Sequence, residues 1–208
     1  MSHALVLASV TAVVKNLLEN GLVDRGVSAH VGADVTISAL PPDRMTTGDD
    51  ERAQINLFLY QIAHRSLVTN SRYNPETPQD RRIGSPQTLE LQYLLTAYGA
   101  QDLHIEILLG YAQEQLAQTP FLSRQTVRKI LATVSSTAGG RVVLPGLAAL
   151  SAELGDASVS LKICPQALPA EEVSRLWSVL QARYRPSLAY KVIVTPQEGP
   201  VSEIEAGG

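Results

Sequence analysis

The sequence predicts an α+β domain: a mostly antiparallel sheet with one long β-hairpin, packed by three to four helices. Three observations predict it. Two runs of alternating apolar residues, Gln54–Val68 and Leu89–Tyr98, flank a proline-rich connection. Another alternating run, Ala157–Cys164, and a last strand, Leu188–Thr195, follow in the C-terminal part. Elsewhere apolar residues recur every three to four positions, as on one face of a helix.

Ser2 is placed to cap the first helix, whose apolar residues Leu7, Val10, Val14, Leu17 and Leu18 keep helical spacing. Asn20-Gly21 has the residue types that end a helix in the left-handed conformation. The apolar run Ala4–Val14 has no basic region before it, and Lys15, Asn16, Glu19 and Asn20 stop it short of the roughly 20 residues that span a bilayer. It predicts a buried or amphipathic helix. A strand is expected over Asp34–Leu40, stopped by Pro41-Pro42, and Pro41–Glu51 reads as a loop.

In the first long run Ile55, Leu57 and Leu59 alternate with Asn56, Phe58 and Tyr60, the period of a strand buried on one face and partly covered on the other. Asn70–Gln87 holds Pro75, Pro78 and Pro86 and has no periodicity, so it reads as a long functional loop. In the second run Leu89, Leu91, Tyr93, Leu95 and Ala97 share one face, and Gly99 closes it. A helix starts near Asp102, with Ile105, Leu108, Leu109, Ala112 and Leu116 as its stripe and Pro120 at its end. Leu122–Ala132 is a basic helix carrying Arg124, Arg128 and Lys129. Ser135–Gly155 is rich in Gly, Ser and Ala, with a turn at Gly139-Gly140. Val159, Leu161 and Ile163 line one face of the next strand. Pro169, Glu171 and Glu172 suit the first turn of a last helix, whose buried stripe is Val173, Leu176, Trp177 and Leu180. Pro186 ends it, and Leu188–Thr195 is the last strand. Residues 1–196 form one domain in this reading, and 197–208 a flexible acidic tail.

Composition fits a folded chain: of 208 residues, 45% are apolar and 18% charged. With a net charge of −3 and no basic block, the chain lacks the positive footprint of a nucleic-acid binder. The single cysteine, Cys164, has no partner for an internal disulfide and no neighbours for a thiolate zinc site, so it reads as a small strand residue. The four histidines, His3, His30, His64 and His104, show no metal-ligand spacing. Gly139-Gly140-Arg141 lacks the spacing of a phosphate loop, and no serine sits in a nucleophile elbow. Asp49, Asp50 and Glu51 read as solvated loop charge in preference to a divalent-ion site. No catalytic residue, cofactor or metal is therefore expected. Contact residues are better represented. Arg72, Tyr73, Arg81 and Arg82 lie in the long loop, and Tyr190 and Lys191 in a last strand expected at a sheet edge, where another chain can pair.

Four segments together resemble a known family. They are INLFLYQIAHRSLVTNSRYNP from Ile55, LELQYLLTAYG from Leu89, HIEILLGYAQEQLAQTP from His104 and SRLWSVLQARYRPSLAYKVIV from Ser174. Their order and spacing resemble the N-terminal domain of the tail-terminator, or cap, proteins of extracellular contractile injection particles of the antifeeding-prophage and virulence-cassette type. The resemblance implies a tail-terminator-like fold without catalysis. It implies a homohexameric ring that ends the inner tube, locks the last sheath ring, and has tube and sheath subunits as partners. It implies synthesis in the cytoplasm and incorporation into the particle. A tube-initiation or baseplate adaptor of the same machine is the alternative. An enzyme with an unrecognised site is a third, with Asp49, Asp50, His64 and His104 as the first residues to mutate.

Overall fold

The computed structural model describes residues 6–48, 50–66, 87–136 and 159–196. Along the chain run α1 (Val6–Asp24), α2 (Val27–Val31), β1 (Thr36–Ser38), a 3-10 turn at Pro42–Arg44, β2 (Gln54–Ser66), β3 (Gln87–Tyr98), α3 (His104–Gln118), β4 (Phe121–Leu122), α4 (Arg124–Ser136), β5 (Val159–Gln166), α5 (Ala170–Val179) and β6 (Ser187–Pro196). The six strands make one sheet in the order β1-β2-β3-β6-β5-β4. Among the described strands β1 and β2 run parallel, and the other neighbours are antiparallel. This is the expected α+β class. Residues 70–86 of the expected loop and 137–155 of the expected Gly/Ser/Ala-rich stretch lie outside the described residues, as does the tail 197–208; Gln87 opens β3, and Ser135 and Ser136 end α4.

Strand pleating sorts the residues into two faces. On one face Ile55, Leu57, Leu91, Tyr93, Leu95, Ala97, Leu161 and Val192 are essentially inaccessible. They pack against Val10, Val13 and Val14 of α1 and Leu108 and Ala112 of α3, and α4 covers β5. Full burial of each Leu or Val side chain contributes about 1.5–3 kcal/mol, so this face dominates the stability. The Tyr93 hydroxyl ends in the core at 2.9 Å from Thr11 Oγ1. Burial pushes its pKa up to about 12.

Helix α1 runs past Asn20-Gly21, where the sequence led us to expect its end. Gly21 serves packing instead: a Cβ there would lie 2.4 Å from Gln115 Cδ of α3. The turn falls at Gly26, whose φ of 60° is the left-handed conformation. By length and composition α1 reaches the range that crosses a membrane. Its apolar side, including Val13, Leu17 and Leu18, is buried in the core.

Two further expectations are corrected. β6 is an interior strand, paired with β3 from Leu89↔Val194 to Thr96↔Ser187 and with β5 from Val159↔Pro196 to Gln166↔Ala189. A C-terminal position in the chain does not decide lateral position in a sheet, and the apolar run Val192-Ile193-Val194 suits two flanking strands. The expected stripe of α5 is only partly buried. Trp177 is buried, whereas Val173, Leu176 and Leu180 are half-exposed.

Candidate assembly surfaces

The face of the sheet away from α1 and α3 mixes polar and apolar groups. The β2–β3 register brings Ala63 opposite Glu90 and Gln61 opposite Gln92, after a bulge at Tyr60. The β3–β6 register puts Lys191 opposite Gln92 and Ile193 opposite Glu90. Glu90 is buried, and its carboxylate meets two cations, Arg65 Nε at 3.2 Å and Lys191 Nζ at 3.7 Å. Tyr60 donates to Gln92 Oε1 at 2.9 Å. Asn56, fully buried, ties down the exit of β1: its Oδ1 accepts from Ser38 Oγ and from the Leu40 N–H, and its Nδ2 donates to Leu40 O. A buried amide satisfied three times fixes register as well as energy.

At the base of the hairpin Glu51 is clamped by Arg185 through two bonds of 2.7 and 2.6 Å. The Gly99 N–H donates to Glu51 Oε1 at 2.7 Å. Burial alone would raise this carboxyl, but Arg185 and the Gly99 N–H outweigh it and hold the pKa below the usual value. The acidic cluster read from the sequence therefore splits. Glu51 is a structural anchor, Asp50 is exposed, and Asp49 lies outside the described residues. Neither of the buried ion-paired glutamates, Glu51 and Glu90, is legible in the sequence, because their partners depend on register and on contacts between distant segments.

The other singled-out residues fall as follows. Arg72, Tyr73, Arg81 and Arg82 lie outside the described residues, as does His3. Tyr190 points into the core and is 5% exposed, while Lys191 beside it points to the opposite face and pairs with Glu90. His30 sits with Nδ1 at 3.2 Å from Gly26 O and its ring beside Tyr111. His64 is exposed on β2. His104 is buried and pressed against Gly99, where any Cβ would meet its ring. Cys164 is half-buried on β5. Among the described residues no three His, Cys, Asp or Glu converge as a metal site.

Three surfaces carry exposed apolar groups or unpaired backbone. Beside α5, Val173, Trp177 and Tyr184 line an open groove, and Val179 is 74% exposed. Beyond Asn56, β2 has no strand on its outer side among the described residues, and Ile62 lies exposed there. On the helix layer, His30, Glu106, Ile107, Gly110, Tyr111 and Glu114 line a shallow groove between α2 and α3. Arg25 Nη1 lies 2.6 Å from Glu114 at its rim and holds that carboxyl below the usual range.

A family described as the Pvc16 N-terminal domain matches residues 9–207. The chain belongs to this family. No curated protein matches the Pvc16-type chain. Two solved structures are similar to it. One is the sheath/tube terminator of the extracellular contractile injection system PVC in its extended state, with 18% identity and a TM-score of 0.41, covering 89% of this chain and 61% of that one. The other is the anti-feeding prophage cap, a tube-terminating cap, with 15% identity and a TM-score of 0.44, covering 91% of this chain and 60% of that one. The Pvc16-type chain thus spans about three fifths of the length of either.

Proposed function

We propose that the chain is the structural cap of a contractile injection particle, a ring that ends the inner tube and locks the last sheath ring. Membership of the Pvc16 N-terminal domain family over residues 9–207 carries this reading. The four segments that resemble tail terminators support it, since they occupy β2, β3, α3 and the α5–β6 unit, the frame of the domain. The role is mechanical, not catalytic. The buried carboxylates Glu51 and Glu90 each hold cations of the same chain, a use that serves rigidity. Exposed apolar groups on α5 and β2 suit a subunit that is covered by others when assembled. Six copies of a 22.4 kDa chain make a ring of about 134 kDa.

The test has two arms. In the first, immobilised chain is offered purified tube and sheath subunits; capture of either supports the cap, and failure to bind both rejects it. In the second, gold-labelled chain is located on intact particles by electron microscopy. Label at the end away from the baseplate fits a terminator, and label at the baseplate replaces this reading with the adaptor.

A further inference from the structure

The groove between α2 and α3 has a feature that the fold of one chain leaves unexplained. Gly110 stands in the middle of α3 and is exposed. Glycine inside a helix costs about 1 kcal/mol relative to alanine. A Cβ added at Gly110 would meet nothing within 4 Å, so no contact inside the described chain requires glycine there. Gly21 shows the contrast, because Gln115 fills the space its missing side chain leaves. A glycine on an open helical surface, lining a groove, fits close approach by the backbone or small side chains of another molecule.

The groove carries two carboxylates, Glu106 and Glu114, of which Glu114 is already paired with Arg25. Glu106 is exposed on the same helical face, one turn before Gly110, and Glu114 follows one turn after it. The same chain carries a face of opposite charge. Helix α4, over β5, exposes Gln125, Arg128, Lys129 and the small Ala132 at helical spacing, and it contains no acidic residue. A ring made of identical subunits needs two different, mutually fitting surfaces on each copy. Resting on the ring reading above, we propose that the α2–α3 groove of one copy receives the basic outer face of α4 from the next copy. Gly110 and Ala132 allow the helices to approach, and Arg128 and Lys129 meet Glu106. The contact is partly electrostatic, so it weakens as salt shortens the screening length from about 10 Å at 0.1 M to about 3 Å at 1 M.

Sedimentation velocity on the full chain, at low and high salt, tests this. The wild type associates at low salt, and salt reduces the association. Gly110→Ala raises the melting temperature through helix propensity yet weakens association, a split that a purely structural glycine would not give. Gly110→Leu abolishes association. Arg128→Glu with Lys129→Glu weakens it roughly tenfold or more, and adding Glu106→Lys to that pair restores it. A wild type that stays monomeric at millimolar concentration overturns the proposal. So does Gly110→Leu associating like wild type, or loss with Gly110→Leu but none with the reversed α4 charges, which would assign the groove to another occupant. Tube and sheath capture is measured separately, so failure here leaves the cap reading standing, and failure there leaves this contact standing.

Discussion

Arg185 holds Glu51 with both arms of its guanidinium, Nη1 to Oε1 at 2.7 Å and Nη2 to Oε2 at 2.6 Å. The guanidinium carbon also lies 4.5 Å above the centre of the Tyr98 ring. Residues 134 positions apart in the chain thus join the entry to β2, the end of β3 and the turn into β6. The side chains are 5% and 15% exposed, so water screens the pair little.

Arg185→Ala leaves Glu51 buried without its partner, and the expected loss is about 3–5 kcal/mol. Arg185→Lys recovers only part of it, because an ammonium cannot make the two parallel bonds or lie flat on Tyr98. Urea unfolding of the three proteins ranks them wild type, Lys, Ala. Equal stability of Lys and wild type would show that charge alone matters here.

The same pair sets an acid limit on stability. The Glu51 pKa is lowered in the fold: burial opposes this, but Arg185 and the Gly99 N–H prevail. A depressed carboxyl contributes stability that is fully present above its unfolded value, about 4.3, and is lost as pH falls through the folded value. Thermal melts from pH 7 downward should therefore show a fall in Tm beginning near the unfolded value and steepening below it. Glu51→Gln should be less stable at pH 7 and show a shallower fall in acid. Parallel curves for the two proteins would assign the acid transition to other carboxylates.

Gly21 gives a prediction whose sign depends on its neighbour. In the native chain Gly21→Ala drives a Cβ toward Gln115 and is expected to gain little or to destabilise. With Gln115→Ala already present the clash is gone. The same change should then stabilise by about 0.5–1 kcal/mol, the helix preference of alanine over glycine. A double-mutant cycle by denaturant unfolding measures the difference directly. Additive effects would mean that the Gln115 side chain swings away at no cost.

Gly21 also shows where sequence reading stops. Asn-Gly at the end of a periodic run is the right signature for a helix stop, and only the approach of α3, nearly a hundred residues later, makes it an interior glycine. Local period was enough for the strands, since Ile55, Leu57, Leu91, Tyr93 and Leu95 repeat every second residue and are all buried on one face. What period cannot supply is the neighbour. Nothing in Leu188–Thr195 says that β3 and β5 flank it, so an interior strand was expected at an edge. Glu90 stands between Leu89 and Leu91, off the face those residues share, and its burial between Arg65 and Lys191 follows from a register set by three strands. For the assembly surfaces, an exposed glycine in a helix reads as a small cost until the surrounding groove is seen.

Tyr190 and Lys191 carry the sharpest test of facing. They are adjacent in β6, and both were expected to make contacts with another chain. Pleating sends them to opposite sides. Tyr190 lies in the core layer with Val192 and Ile163, so Tyr190→Ala opens a cavity and should cost about 3–5 kcal/mol, as for other large buried aromatics. Lys191 is partly exposed at 28%, and its partner Glu90 keeps Arg65 when Lys191 is removed. Lys191→Ala should therefore cost about 1 kcal/mol or less. Chemical unfolding of the two variants reads the ratio. Losses of similar size would mean either that the core relaxes into the space left by the tyrosine ring or that Glu90 depends on Lys191 more than on Arg65. The variant Arg65→Ala separates these, since it should become markedly more costly in the Lys191→Ala background if the two cations share the load.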